Sequence, residues 1–305
     1  MARLLFVIAL AAASFALVLL APEAALAWGP GAHMVTGNWI LQNLAVLPAF
    51  VAEPLMRYPG LFLQGCLSAD IFIGKGSKPK KGHSHNWESG FALLEKARSP
   101  SRQAYAYGYL AHLAADTVAH NVFVPYLLPI APGNGKMAHV YLEMQADRLL
   151  DWDKADALAV FHERGSGVAL TMLRKTLRRN TLKFRLQSGV YRGSIAVGGS
   201  AVWRRSLTAV DRLLPESVRL SWLDNLLAVA TRAAVDVLRN GESSQVLNLD
   251  PIGAAALASA VKVRSAQSFF PGSARARACL AALPETLPDA LESLPVVCVG
   301  QGQET

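Results

Sequence analysis

The stretch HLAADTVAH places His112, Asp116 and His120 four residues apart. On an α-helix that spacing stacks the three side chains on one face, one turn above the next. Their neighbours Tyr109, Leu110, Leu113, Ala114, Ala115 and Val118 are mostly apolar, so the polar stripe is expected to face the interior. Two imidazoles and a carboxylate buried there cost several kcal/mol unless they pair or hold a metal ion. A hydrogen-bonded His–Asp–His network and a metal site both meet that condition. HVYLE repeats the spacing with His139 and Glu143, one short loop later. Helices joined by a short loop lie antiparallel, which brings the two stripes face to face. Asp147 continues the second stripe by one turn. It either orients a ligand imidazole from behind or is an ordinary surface acid, and the surface reading is preferred.

Three further pieces carry metal-ligand chemistry. The first is WGPGAH. Arg3, an apolar run over 4–21 and Ala25-Leu26-Ala27 have the order of a signal peptide and its cleavage site, so residues 1–27 are expected to be removed. An uncleaved N-terminal anchor is the alternative. Cleavage would free the α-amine of Trp28, a group with an ordinary pKa of about 8 that a metal deprotonates readily. That amine and its own carbonyl oxygen can chelate one metal, and His33 lies close enough to add a ligand. The second piece is Asp70 in GCLSADIF. The third is His83 and His85 in GHSHNW, at the end of a lysine-rich loop. By itself, a His-x-His there reads as an exposed polar segment.

Taken together, the order of these residues resembles the zinc-dependent phospholipase C family, which shares its fold with secreted single-strand nucleases. The resemblance rests on Trp28, His33, Asp70, His85 followed two residues later by Trp87, His112 with Asp116, His120, and His139 with Glu143. It spans residues 28 to about 147, with every ligand position filled in order. It implies up to three zinc ions. Asp116 would bridge two of them; Asp70, His85 and His112 would complete one, and Trp28 with His33 its partner. His120, His139 and Glu143 would hold the third. Imidazoles and carboxylates suit zinc better than calcium or magnesium, which take oxygen shells. Two departures stand out. The gap from Asp116 to His120 is shorter than in those phospholipases. His83 also competes with His85 for one position, where Trp87 and the spacing from Asp70 favour His85. The implied reaction is phosphodiester hydrolysis by a metal-activated water, with Asp70 as both ligand and proton acceptor.

The elements that must position these groups read as helices, and the fold class expected is all-α, a multi-helix bundle. Helical periodicity covers 31–57 (broken near Pro48 and Pro54), 88–98, 102–129 and 137–162. Beyond these it recurs over 166–180, 203–214, 217–240 and 251–263. Residues 59–74 hold only short apolar stretches. Gly, Pro and Ser mark loops at 75–87, 131–136 and 188–201. The strand-like Val296-Val297-Cys298-Val299 has no partner from which to build a sheet. Residues 28–165 are expected to form the zinc-binding core. Residues 166–305 form a helical region completing the same domain.

The chain is 52% hydrophobic, enough for a sizeable core, and carries a formal net charge of +8. Such a balance favours anionic partners. Lys75, Lys78, Lys80 and Lys81 flank the proposed ligand loop, and a second basic run extends from Arg174 to Arg185. Both could attract phospholipid headgroups or a membrane surface, or could simply be solvated. The cysteines Cys66, Cys279 and Cys298 have no metal-ligand spacing. Cys279 and Cys298 could pair in an oxidising compartment, or all three could be buried thiols. The expectation is therefore a secreted or periplasmic zinc phospholipase C, with no obligate protein partner evident. A single-strand nuclease would need exposed aromatic platforms and is the alternative. A non-catalytic helical protein with structural polar networks is the third reading.

Overall fold

A computed structural model describes residues 28–72, 82–131, 135–198, 200, 205, 207–208, 220–265 and 289–294. Several expectations lie outside these residues: the signal segment 1–27, Lys75 to Lys81, most of the 203–214 helix, Cys279, Cys298 and the strand-like 296–299. Every regular element among the described residues is a helix, so the fold is all-α.

The axis of the molecule is α5, Pro100–Val118. Pro100 opens it where a missing amide costs nothing, and the run from Ala104 to Val118 is buried throughout. A helix covered on all sides belongs at the centre of a core. Around it pack α1 (Pro30–Gln42), α2 (Ala49–Arg57), α3 (Pro59–Ser68) and α4 (Trp87–Glu95). The side chain of Asn86 caps α4 by accepting from the Ser89 amide at 3.3 Å. α5 runs into a π-turn, Ala119–Phe123, and then the short α6, Val124–Leu127. After the next loop come α7 (Gly135–Leu149), α8 (Lys154–Ala159), α9 (Ser166–Thr176) and α10 (Thr181–Gly198). α11 (Leu220–Asn240) lies across α5 and α1, and α12 (Ala254–Ser265) covers the π-turn and α6. One apolar cluster joins Trp28, α5, α11 and the later residues Leu291 and Leu294.

Four local expectations are corrected. Pro54 sits inside α2 rather than ending it. The carbonyl it cannot pair with belongs to Phe50, which is 66% exposed, so water can take that acceptor. Residues 59–68 form α3 rather than isolated apolar stretches. The expected loop at 188–201 is helical as far as Gly198, because Phe184, Tyr191 and Ile195 share one buried face of α10. Tertiary burial there outweighs the low helix propensity of Gly189 and Gly193. The expected helix 137–162 is divided by a break at which Asp153 caps α8, accepting from the Ala155 amide at 2.6 Å.

Candidate metal centre

The centre begins with two glycines. A Cβ on Gly65 would strike the Tyr105 carbonyl, and one on Gly108 would strike the Phe62 carbonyl. Without them, α3 and α5 come into backbone contact. That contact puts the Cys66 carbonyl 2.7 Å from His112 Nδ1. A carbonyl only accepts, so Nδ1 carries the proton and the Nε2 lone pair of His112 points into the cleft. Directly after α3, a tight 3-10 turn delivers Asp70, which is 1% exposed.

Five side chains converge here. His85 Nε2 lies 3.2 Å from Asp70 Oδ1 and 2.9 Å from Asp116 Oδ2. His112 Nε2 lies 3.2 Å from Asp116 Oδ2 and 3.0 Å from His85 Nε2. His33 Nε2 lies 3.3 Å from Asp116 Oδ1 and 4.0 Å from Asp70 Oδ2. Its ring stacks on that of His112, centroids 3.9 Å apart. Asp116 thus faces His33 with one oxygen and the His85–His112 pair with the other. A separate set faces it from the end of α5. His139 Nε2 is 2.9 Å from Glu143 Oε1 on α7, and the His120 and His139 rings meet edge to face at 5.4 Å. His120 falls within the π-turn, where the helix is under-wound. Despite the short gap after Asp116, it groups with His139 and Glu143. Among the described residues three groups could each hold a metal ion: His33, His112 and Asp116; Asp70, His85 and His112; and His120, His139 and Glu143.

Trp28 closes one wall. Its indole Nε1 donates to the Ala115 carbonyl at 3.0 Å, beside Asp116. Its ring stacks on Phe123 at 4.7 Å. His83 is in none of the three groups. It is buried, and its Nδ1 accepts from the His85 amide at 3.0 Å, so it braces its neighbour.

The preferred surface reading of Asp147 is overturned. It is half-buried, and its carboxylate accepts from the amides of Gly31 at 3.0 Å and Ala32 at 3.2 Å. It therefore caps the start of α1, the helix that carries His33. α1 has no acid in its own first turn and no side-chain cap, so a remote carboxylate meets its exposed amides. Burial pushes the Asp147 carboxyl up to about 7, although the two amides pull the other way.

Residues from the distal half complete the centre. His120 Nδ1 donates to the Pro251 carbonyl at 2.5 Å, which leaves Nε2 as the lone-pair nitrogen. Gly253, at φ 62°, touches the His120 backbone so closely that a Cβ would overlap its carbonyl. Asn121 ties the same turn down by donating to the Asp250 carbonyl at 2.9 Å. The sequence does carry a signal for this turn: Asp250-Pro251-x-Gly253 is a tight-turn pattern, closed by a Gly253 amide to Asp250 carbonyl bond of 2.9 Å. Nothing in the sequence links it to His120. The Cys66 carbonyl is a backbone group and left no signal at all.

The electrostatics suit a cation. Burial lowers the His120 imidazole to about 3, so it is neutral near pH 7. Burial, helped by the facing His112, also lowers His33. Burial alone would raise Asp116, yet the imidazoles of His112, His33 and His85 hold it well below the usual carboxylate range. The result is an ionised carboxylate on which the Nε2 atoms of three imidazoles converge. His33 Nε2, His120 Nε2 and both Asp116 oxygens are buried without a hydrogen bond of good geometry. Several kcal/mol of uncompensated polarity would remain in such a cluster. A divalent ion with nitrogen and carboxylate ligands removes that cost, and the donor set fits zinc.

Residues 32–187 match the family described as zinc dependent phospholipase C. No curated protein and no solved structure gives a match to the chain. The matched segment exceeds half of the 305 residues and carries every clustered histidine and acid. By that match, and with a cleft suited to its metal, the chain belongs to the zinc-dependent phospholipase C family.

Proposed function

We propose that the chain is an exported phospholipase C that hydrolyses phospholipids at the phosphodiester and holds up to three zinc ions. The observation that carries this is the meeting of His33, Asp70, His85, His112 and Asp116 in one buried cleft, inside the segment that matches the family. Asp70, His85 and His112 would hold one ion. His33 and Asp116, with the amine and carbonyl of a freed Trp28, would hold its neighbour. His120, His139 and Glu143 would hold the third. When bound, zinc supplies a Lewis acid that polarises the phosphoryl oxygen and makes water a better nucleophile near neutral pH.

The chain's own groups do the rest. Asp116, with one oxygen toward His33 and the other toward His85 and His112, would serve both halves of the cluster. The Cys66 and Pro251 carbonyls fix the tautomers of His112 and His120, so both present Nε2. Asp70 Oδ1, 3.2 Å from His85 Nε2, would serve the metal set, while its other oxygen would take the proton of the attacking water. The diacylglycerol oxygen leaves phosphorus as the new P–O bond forms and takes up a proton from solvent, while Asp70 returns the proton of the attacking water to solvent. Among the described residues the exposed aromatic side chain is Phe50, on α2. A row of platforms for unstacked bases is not found there, which favours lipid over single-stranded nucleic acid.

Assays on phosphatidylcholine and single-stranded DNA, each with and without a zinc chelator, test this reading. Diacylglycerol release that a chelator stops and zinc restores is expected. DNA cleavage without lipid turnover would replace the lipid assignment with the nuclease one. Sequencing the mature N-terminus checks export separately, with Trp28 as the expected first residue.

A further inference from the structure

α10 has two apolar faces. Phe184, Tyr191 and Ile195 are buried against the body of the protein. On the opposite side stand Leu182, Leu186, Val190 and Val197, which are 69%, 63%, 55% and 45% exposed. At 100° per residue these four fall within one narrow stripe, about half a turn from the buried face. Scattered single apolar residues on a surface need no explanation, but an aligned row does. Exposed Lys183 and Arg185 border the stripe on its two sides. Neither makes an ion pair among the described residues. No Asp or Glu occurs in the sequence between Glu163 and Asp211, whereas lysine and arginine recur throughout that stretch. An apolar stripe with basic borders and no acid is the pattern of a helix that lies in the surface of an anionic bilayer.

The start of α10 is fastened to the metal centre. Phe184 packs on Phe72 with ring centroids 5.5 Å apart, and Phe72 follows Asp70 by two residues. Arg179, just before the helix, lies over the Phe72 ring and donates to the Gly82 carbonyl at 2.9 Å, next to His83. A surface engaged by the stripe would thus lie about one helix diameter, roughly 10–12 Å, from Phe72 and Gly82.

We infer that the outer face of α10 is a docking surface for an anionic phospholipid bilayer, Leu182, Leu186, Val190 and Val197 entering the interface while Lys183 and Arg185 meet lipid phosphates. This rests on the phospholipase reading for its biological sense, but not for its test. Co-sedimentation of the zinc-loaded protein with phosphatidylglycerol vesicles reads docking without reference to turnover. Leu186→Asp, an exposed change that leaves the buried face intact, is expected to weaken vesicle binding at least ten-fold. Lys183→Glu and Arg185→Glu are each expected to weaken it about five-fold, more at low salt than at high salt. Hydrolysis of a monomeric short-chain phospholipid should be unchanged in all three. If the phospholipase reading alone fails, vesicle binding and its losses persist with no turnover. Vesicle affinity that Leu186→Asp leaves unchanged overturns the inference. So does a dimer in sedimentation velocity that Leu186→Asp disperses while vesicle binding stays constant, because the face would then belong to a second copy.

Discussion

The cluster around Asp116 and the group around Glu143 use the same residue types on different scaffolds. The first is assembled on rigid ground. α3 and α5 touch through Gly65 and Gly108, and every member of the cluster is about 1% exposed or less. The second sits where α5 loosens into a π-turn, and its orienting carbonyl comes from Pro251, 131 residues from His120. Its His139 is 8% exposed. Irregular helix turns of this kind recur at functional sites because they re-aim one side chain without ending the helix. The contrast implies a division of labour. On the proposed reading the first cluster would hold a pair of ions on rigid ground, whereas the second would be adjustable and depend on a distant loop.

Asp116→Ala should break the contrast most severely. Its two oxygens face both halves of the first cluster, so activity is expected to fall at least about 10³-fold. Elemental analysis should show zinc lost from both halves. His139→Ala, by comparison, should remove metal only from the outer group. Gly253→Ala tests the loop. A Cβ there meets the His120 backbone at a left-handed φ, so the His120 imidazole should lose its alignment. Activity is expected to drop by about 10- to 100-fold, in the range for loss of a residue that orients a ligand. Zinc titration should locate the weakened affinity in one ion while the others stay tight.

Gly108→Ala probes the rigid side. The added methyl meets the Phe62 carbonyl, a backbone atom that cannot swing away. A loss of about 1–3 kcal/mol is expected, visible as a lower midpoint in thermal unfolding. Asp147→Asn should have the smallest effect at about pH 5. At about pH 5 the wild-type carboxyl is largely protonated, and the amide mimics it, so the two proteins should differ by about 1 kcal/mol or less. The folded-state value of about 7 lies above the ordinary carboxyl value of 3.8. Folding therefore favours the protonated form, and wild-type stability falls as pH rises between those values. The variant lacks that slope. Its stability relative to wild type should rise from pH 5 to 7, as followed by denaturant unfolding.

The same contrast explains what could be read from the sequence. His112, Asp116 and His120 were legible because helix periodicity is local and their neighbours are apolar. His139 and Glu143 followed for the same reason. His85 could be preferred over His83, yet the bracing role of His83 depends on the backbone path of its loop. Asp147 reads as a surface acid because the amides it caps belong to α1, 115 residues away. Gly253 is an ordinary turn glycine until α5 is placed beside it. The helix through Gly189 and Gly193 was read as loop because its support comes from Phe184, Tyr191 and Ile195 packing on remote partners. Local patterns thus reported which groups carry chemistry, and long-range packing decided which backbone atoms aim them.

The most direct test is a crystal structure of the purified protein with anomalous diffraction data on both sides of the zinc edge. The account predicts one zinc peak in reach of Asp70, His85 and His112. It predicts a second between His33 and Asp116, and a third against His120, His139 and Glu143. Fully occupied protein with no zinc peak touching Asp116, its histidines joined only to one another, would contradict it.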